Sequence, residues 1–131
     1  MSVKILVVDD EMQIRELLRY KLVRAGFEVV TAKSGQEFIQ CAMMQKPDLI
    51  ILDIWLEEAL GPDVYQELLA QGFNREVPVI FITALVEGHS GNEGIVSERK
   101  YSLFSKPFDF GKLQKEIHAL LHLEIKGEQI K

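Results

Sequence analysis

The stretch VKILVVDD, residues 3–10, decides the fold. Residues 3–8 are an apolar run without the alternation of a half-solvated strand, so they predict a strand buried on both faces of a sheet. The run stops at two acids, Asp9 and Asp10. Three more runs follow the same plan: DLIILD ends on Asp53, VPVIFIT on Thr83, and YSLFSKP near Lys106. A helix-like or variable segment follows each. In an open parallel sheet with helical crossovers, every strand points the same way and ligands bind outside the carboxyl ends. Three carboxylates, a hydroxyl and an ammonium group, spread over almost 100 residues, therefore converge on one edge.

The segments between the runs read as helices. Residues 11–25 place Ile14, Leu17, Leu18, Leu22 and Ala25 at helical spacing, and Gly26 closes that helix. FEVVT, residues 27–31, reads as a second strand. Ser34 with Glu37 forms a capping box for a helix whose buried stripe is Phe38, Cys41 and Ala42. Gly61-Pro62 opens a third helix with Val64, Leu68 and Leu69 inward. Residues 101–105 predict the last and poorest strand. Asp109 caps a final helix striped with Phe110, Leu113, Ile117, Leu120 and Leu121. The stretch 85–100 breaks the pattern. A helix is due there, but Gly88, Gly91 and Gly94 each cost a helix interior ~1 kcal/mol relative to Ala. The expectation is a short, displaced or mobile helix.

Bulk properties narrow the function. A chain of 131 residues predicts one domain. A net charge of −5 with no Lys/Arg cluster argues against direct nucleic-acid binding. No stretch approaches the ~20 apolar residues that span a bilayer, and the N-terminus has no signal-peptide core. The single Cys41 cannot form an intrachain disulfide, so a reducing, cytoplasmic location is expected.

Carboxylates gathered at a sheet edge repel one another unless a cation compensates. All-oxygen ligands at an open edge, with room for water and phosphate, suit Mg²⁺ better than a closed Ca²⁺ cage. Lys106 adds positive charge and Thr83 a hydroxyl donor. Such a set suits phosphoryl transfer, in which positioning and positive charge do most of the work. With no nucleophile elbow and no strand-end His, the nucleophile would be a carboxylate. Asp53 stands alone after the most apolar strand and is the best candidate, while Asp9 and Asp10 look like metal ligands. Taken singly, Asp10 is better explained as the N-cap of the first helix than as a metal ligand, with Gln13 completing a capping box. Asp53 alone could be a turn residue, Thr83 an ordinary strand residue and Lys106 a solvated lysine. His118 and His122 have the spacing of a zinc pair but lack a third ligand. Trp55, two residues past Asp53, is expected to be at least partly exposed.

These motifs resemble those of the receiver domain of two-component response regulators. The matching features are Asp9-Asp10, Asp53, Thr83-Ala84, Lys106-Pro107-Phe108 and Gly61, eight positions past Asp53. The resemblance covers residues 2 to about 122. It implies a (βα)5 flavodoxin-like three-layer α/β sandwich with parallel sheet order 2-1-3-4-5. The receiver would span residues 1–122, and residues 123–131 would be a polar tail or linker start. It implies a phosphoacceptor rather than an enzyme acting on other molecules: Asp53 takes a phosphoryl group from a sensor histidine kinase or a histidine phosphotransfer protein. Asp10, Asp53 and the Trp55 carbonyl would bind Mg²⁺ directly, with Asp9 doing so directly or through water. Thr83 and Lys106 would contact phosphoryl oxygens, and the Lys106-Pro107 bond would be cis. An output partner would use the residue 85–122 face, with a homodimer as a further option.

The chain departs from the family pattern at three places. Glu57 and Glu58 replace the usual Pro-Gly, Leu103 replaces an aromatic switch residue with Tyr101 and Phe104 nearby, and the Gly-rich stretch 85–100 lies where the output face is built. The alternative is a degenerate receiver acting as a phosphorylation-independent interaction module. A hydrolase of the aspartyl-phosphate type would want an acid where Trp55 stands. A flavin binder would want a phosphate loop where DDEMQ follows the first strand. Trp55 and Leu85 would flank the phosphoryl group and slow its hydrolysis.

Overall fold

The apolar runs form strands within two residues of their expected bounds. A computed structural model describes residues 2–83, 92–96, 99–105 and 109–122. The elements in chain order are β1 (Lys4–Val8), α1 (Met12–Arg24), β2 (Glu28–Ala32), α2 (Gly35–Gln45), β3 (Leu49–Asp53), α3 (Gly61–Ala70), β4 (Val79–Thr83), β5 (Asn92–Val96), β6 (Arg99–Ser105) and α4 (Phe110–Leu120). The sheet order is β2-β1-β3-β4-β6-β5. Its first five members are parallel, which is the expected 2-1-3-4-5 arrangement. β5 pairs antiparallel with β6 at the edge.

Every residue of β3 and β4 is buried, as the apolar runs leading to Asp53 and Thr83 predict. The inward faces split by parity. Leu6, Leu52 and Phe81 pack on α2 and α3, while Ile5, Ile51 and Ile80 pack on α1 and α4. The result is a three-layer sandwich with two hydrophobic clusters, one on each side of the sheet.

The helix boundaries follow their signals. Ser34 Oγ accepts from the Glu37 amide at 3.1 Å, and Glu37 Oε1 accepts from the Lys33 amide at 2.7 Å, so the box closes one residue earlier than its simplest form. Gly26 follows α1 at φ +100°, a conformation that Cβ-bearing residues avoid. Asp109 Oδ1 caps α4 by accepting from Gly111 at 2.8 Å.

The structure corrects three expectations. Asp10 does not cap α1; Glu11 occupies the N-cap position and makes no side-chain cap bond. Leu17 belongs to the helical stripe in sequence, but it is 46% exposed because the buried arc of α1 is narrower and centres on Leu18 and Leu22. In the stretch expected to hold a helix, residues 92–96 form β5 instead. Gly94 lies in its middle and weakens the helical alternative. Among the described residues no helix is long and apolar enough to cross a membrane.

Candidate functional site

Backbone pairing aligns the carboxyl ends of the central strands. Val8 lies opposite Leu52, Asp53 opposite Ile82, and Thr83 opposite Ser105. Asp9 continues the β1 ladder, its amide donating to the Ala32 carbonyl at 3.2 Å. Asp53 is the last residue of β3, and the amide of Ile54 donates to Ile82 at 2.8 Å. The acids therefore stand on neighbouring strands a single strand spacing apart.

Their side chains meet. Carboxylate oxygens of Asp9, Asp10 and Asp53 lie within 4.8 Å of one another. Asp9 is fully buried, Asp53 is 3% exposed, and Asp10 is half-buried. At that separation each pair of full charges repels by about 3 kcal/mol at an effective dielectric constant of about 20. Local amides relieve part of this. Asp9 Oδ1 accepts from Glu11 N at 2.8 Å, and Asp53 Oδ1 accepts from Trp55 N at 3.1 Å. These donors hold one oxygen of each carboxylate and orient the group. The donor set is all oxygen, anionic and open on the Asp10 side, so it fits a hard divalent cation such as Mg²⁺.

The β3–α3 connection is built close to this cluster. Gly61 N donates to the Ile54 carbonyl at 2.7 Å, Leu56 N donates to Ala59 at 3.1 Å, and Trp55 pairs with Leu60 across the loop. A Cβ on residue 61 would run into the carbonyl oxygen of Asp53. That contact explains the glycine eight positions after Asp53. Glu57 and Glu58, standing where Pro-Gly was expected, are both exposed, and the loop closes without the Pro-Gly pair. Trp55 is 48% exposed, in line with the partial exposure expected of it.

Thr83 ends β4 with no exposed surface. Leu103 and Phe104 are half-buried on opposite faces of the sheet, Leu103 with the α2–α3 cluster and Phe104 with the α1–α4 cluster. Lys106, the Lys106-Pro107 bond and Leu85 lie outside the described residues, as does the tail 123–131. His118 is half-buried and packs edge-on against Phe27, with ring centroids 5.9 Å apart.

Sequence reasoning missed Arg15. Its Nη1 donates to the carbonyl of Asp9 at 2.7 Å. A basic residue in the opening turn of a helix, the end that disfavours cations, was the available signal.

Comparison with known proteins agrees with this geometry. The family model for the response regulator receiver domain matches residues 5–118. The alkaline phosphatase synthesis transcriptional regulatory protein PhoP of Bacillus subtilis is 37% identical over 122 residues, covering 92% of this chain and 49% of PhoP. The chain thus spans about half the length of the curated relatives it matches. Among solved structures, the response regulator TrrA of Thermotoga maritima, in complex with Mg(2+)-BeF, is 33% identical with a TM-score of 0.76, covering 91% of this chain and 99% of TrrA. The receiver domain of the Francisella response regulator 1452 is 25% identical with a TM-score of 0.78, covering 92% of this chain and 98% of its own. By sequence and by fold, the chain belongs to the response regulator receiver domain family.

Proposed function

We propose that this receiver accepts a phosphoryl group on Asp53 from a phosphohistidine of a sensor kinase or histidine phosphotransfer protein. One observation carries the reading: three carboxylates lie within 4.8 Å of one another at the carboxyl edge of the sheet, with Asp53 buried among them. An Asp53 oxygen attacks phosphorus in line, forming an O–P bond as the bond to the donor imidazole breaks and its electron pair returns to nitrogen. Asp10, Asp53 and the Trp55 carbonyl would hold Mg²⁺, with Asp9 beside them directly or through water, and the bound ion would supply positive charge to offset that on the transferring oxygens. The Trp55 amide donates to Asp53 Oδ1 and so helps orient the carboxylate for attack. Thr83 and Lys106 contact the phosphoryl oxygens. Trp55 and Leu85 shield the acyl phosphate from water and lengthen its lifetime.

On this reading the chain catalyses only its own phosphorylation and dephosphorylation. The receiver occupies residues 1–122, works in the cytoplasm, and passes its signal to an output partner, or to a second copy, through the 85–122 face. The degenerate-module alternative gains nothing from the site, since all three acids are present and clustered. Labelling by acetyl phosphate tests the proposal. Wild type incorporates phosphate only with Mg²⁺, and Asp53→Asn incorporates none. Wild type unlabelled at saturating Mg²⁺ and donor overturns it.

A further inference from the structure

Arg15 lies in the opening turn of α1, a turn that holds no acidic residue. The positive end of the helix dipole disfavours a cation there. Three carboxylates belong to the adjoining site, yet the guanidinium forms no ion pair with any described residue. It donates instead to a neutral main-chain oxygen, the Asp9 carbonyl, through a short bond of 2.7 Å typical of a charged donor. That carbonyl begins the Asp9–Asp10 peptide. The same two residues are held from the other side, because Asp9 Oδ1 accepts from the Glu11 amide. The turn between β1 and α1 is therefore clamped by its backbone and by one carboxylate oxygen, while the Asp10 carboxylate stays unclaimed by Arg15.

We infer that Arg15 is a positioning residue for the cation site: by tying the Asp9 carbonyl to α1 it sets the Asp9–Asp10 peptide so that both carboxylates face Asp53. This rests on the reading of those acids as the Mg²⁺ site. The role has a distinctive sign. As a nearby positive charge, Arg15 repels a divalent cation, so removing it would tighten binding if charge were its main effect. As a clamp, its removal weakens binding, as loss of an outer-shell partner does, by roughly tenfold or more.

Calorimetric titration of the metal-free protein with Mg²⁺ alone separates the two effects. Arg15→Ala binds Mg²⁺ about tenfold more weakly than wild type. Arg15→Met, which keeps the aliphatic stem, behaves alike at a near wild-type melting temperature, so the loss is not one of folding. Arg15→Lys, which keeps charge and one donor, recovers part of the affinity. Acetyl phosphate labelling of all three returns to the wild-type rate at saturating Mg²⁺. Unchanged or tighter Mg²⁺ binding in Arg15→Ala and Arg15→Met overturns the inference alone. A wild type that takes up no Mg²⁺ overturns the cation site with it.

Discussion

At three residues the site and core constrain what can stand there. Gly61 cannot carry a Cβ without displacing the carbonyl of Asp53. Gly61→Ala is expected to destabilise the fold by about 1–3 kcal/mol, as overpacking does, and to shift the Trp55 amide off Asp53. The urea midpoint reads the first effect and the Trp55 amide resonance the second. Tyr65 poses the opposite case. Its ring is fully buried edge-on to Phe81, at 6.3 Å between centroids, and its hydroxyl has no hydrogen-bond partner among the described residues. Such a group carries a desolvation cost of ~1–3 kcal/mol with nothing returned. Tyr65→Phe should therefore match or exceed wild-type stability, and a clear loss would mean that the hydroxyl has a partner. Cys41 is half-buried, and desolvation first, then the nearby Glu37 carboxylate, raises its thiol pKa. The thiol stays protonated at neutral pH and should alkylate more slowly than free cysteine, speeding up as pH rises through the raised value. Folded-state protonation also means that any stability from this group is present at neutral pH and is lost as pH rises through that value.

The strands and helices record where sequence is legible and where it is not. Parallel strands buried on both faces announce themselves as apolar runs; LIIL before Asp53 and VIFI before Thr83 are such runs, and both strands are buried throughout. Side-chain caps are also legible, since Ser34 and Asp109 carry a local chemical reason for a helix to start. Asp109→Ala should cost α4 about 1 kcal/mol, measured as a drop in denaturation midpoint with an unchanged slope. Other features depend on neighbours that periodicity does not name. Leu17 fits the stripe but faces outward. Strand β5 was hidden for a different reason. Gly94 and Asn92 argue against a helix without arguing for a partner, and an edge strand exists only because β6 offers a ladder.

The arrangement of the acids concerns the folded chain as a unit, since they come from two strands and a turn. Their convergence was legible because a parallel sheet forces strand ends together, whatever the side chains do. The balance of forces among them was not, because it depends on distances that only packing sets. Carboxylates within 4.8 Å cost the cation-free protein stability, and a bound cation reverses the sign. Asp10 is half-buried and so partly screened, which reduces the penalty it adds to about 1 kcal/mol from the unscreened value. Asp10→Asn should accordingly raise the melting temperature of the metal-free protein by a few degrees. Added Mg²⁺ stabilises wild type by about 2.7 kcal/mol at a hundredfold excess over its dissociation constant. The variant, having lost a charged ligand, gains much less. The two melting curves should therefore exchange order as Mg²⁺ is added. If Asp10→Asn is the less stable protein at every Mg²⁺ concentration, Asp10 is held by partners within the fold rather than reserved for a cation.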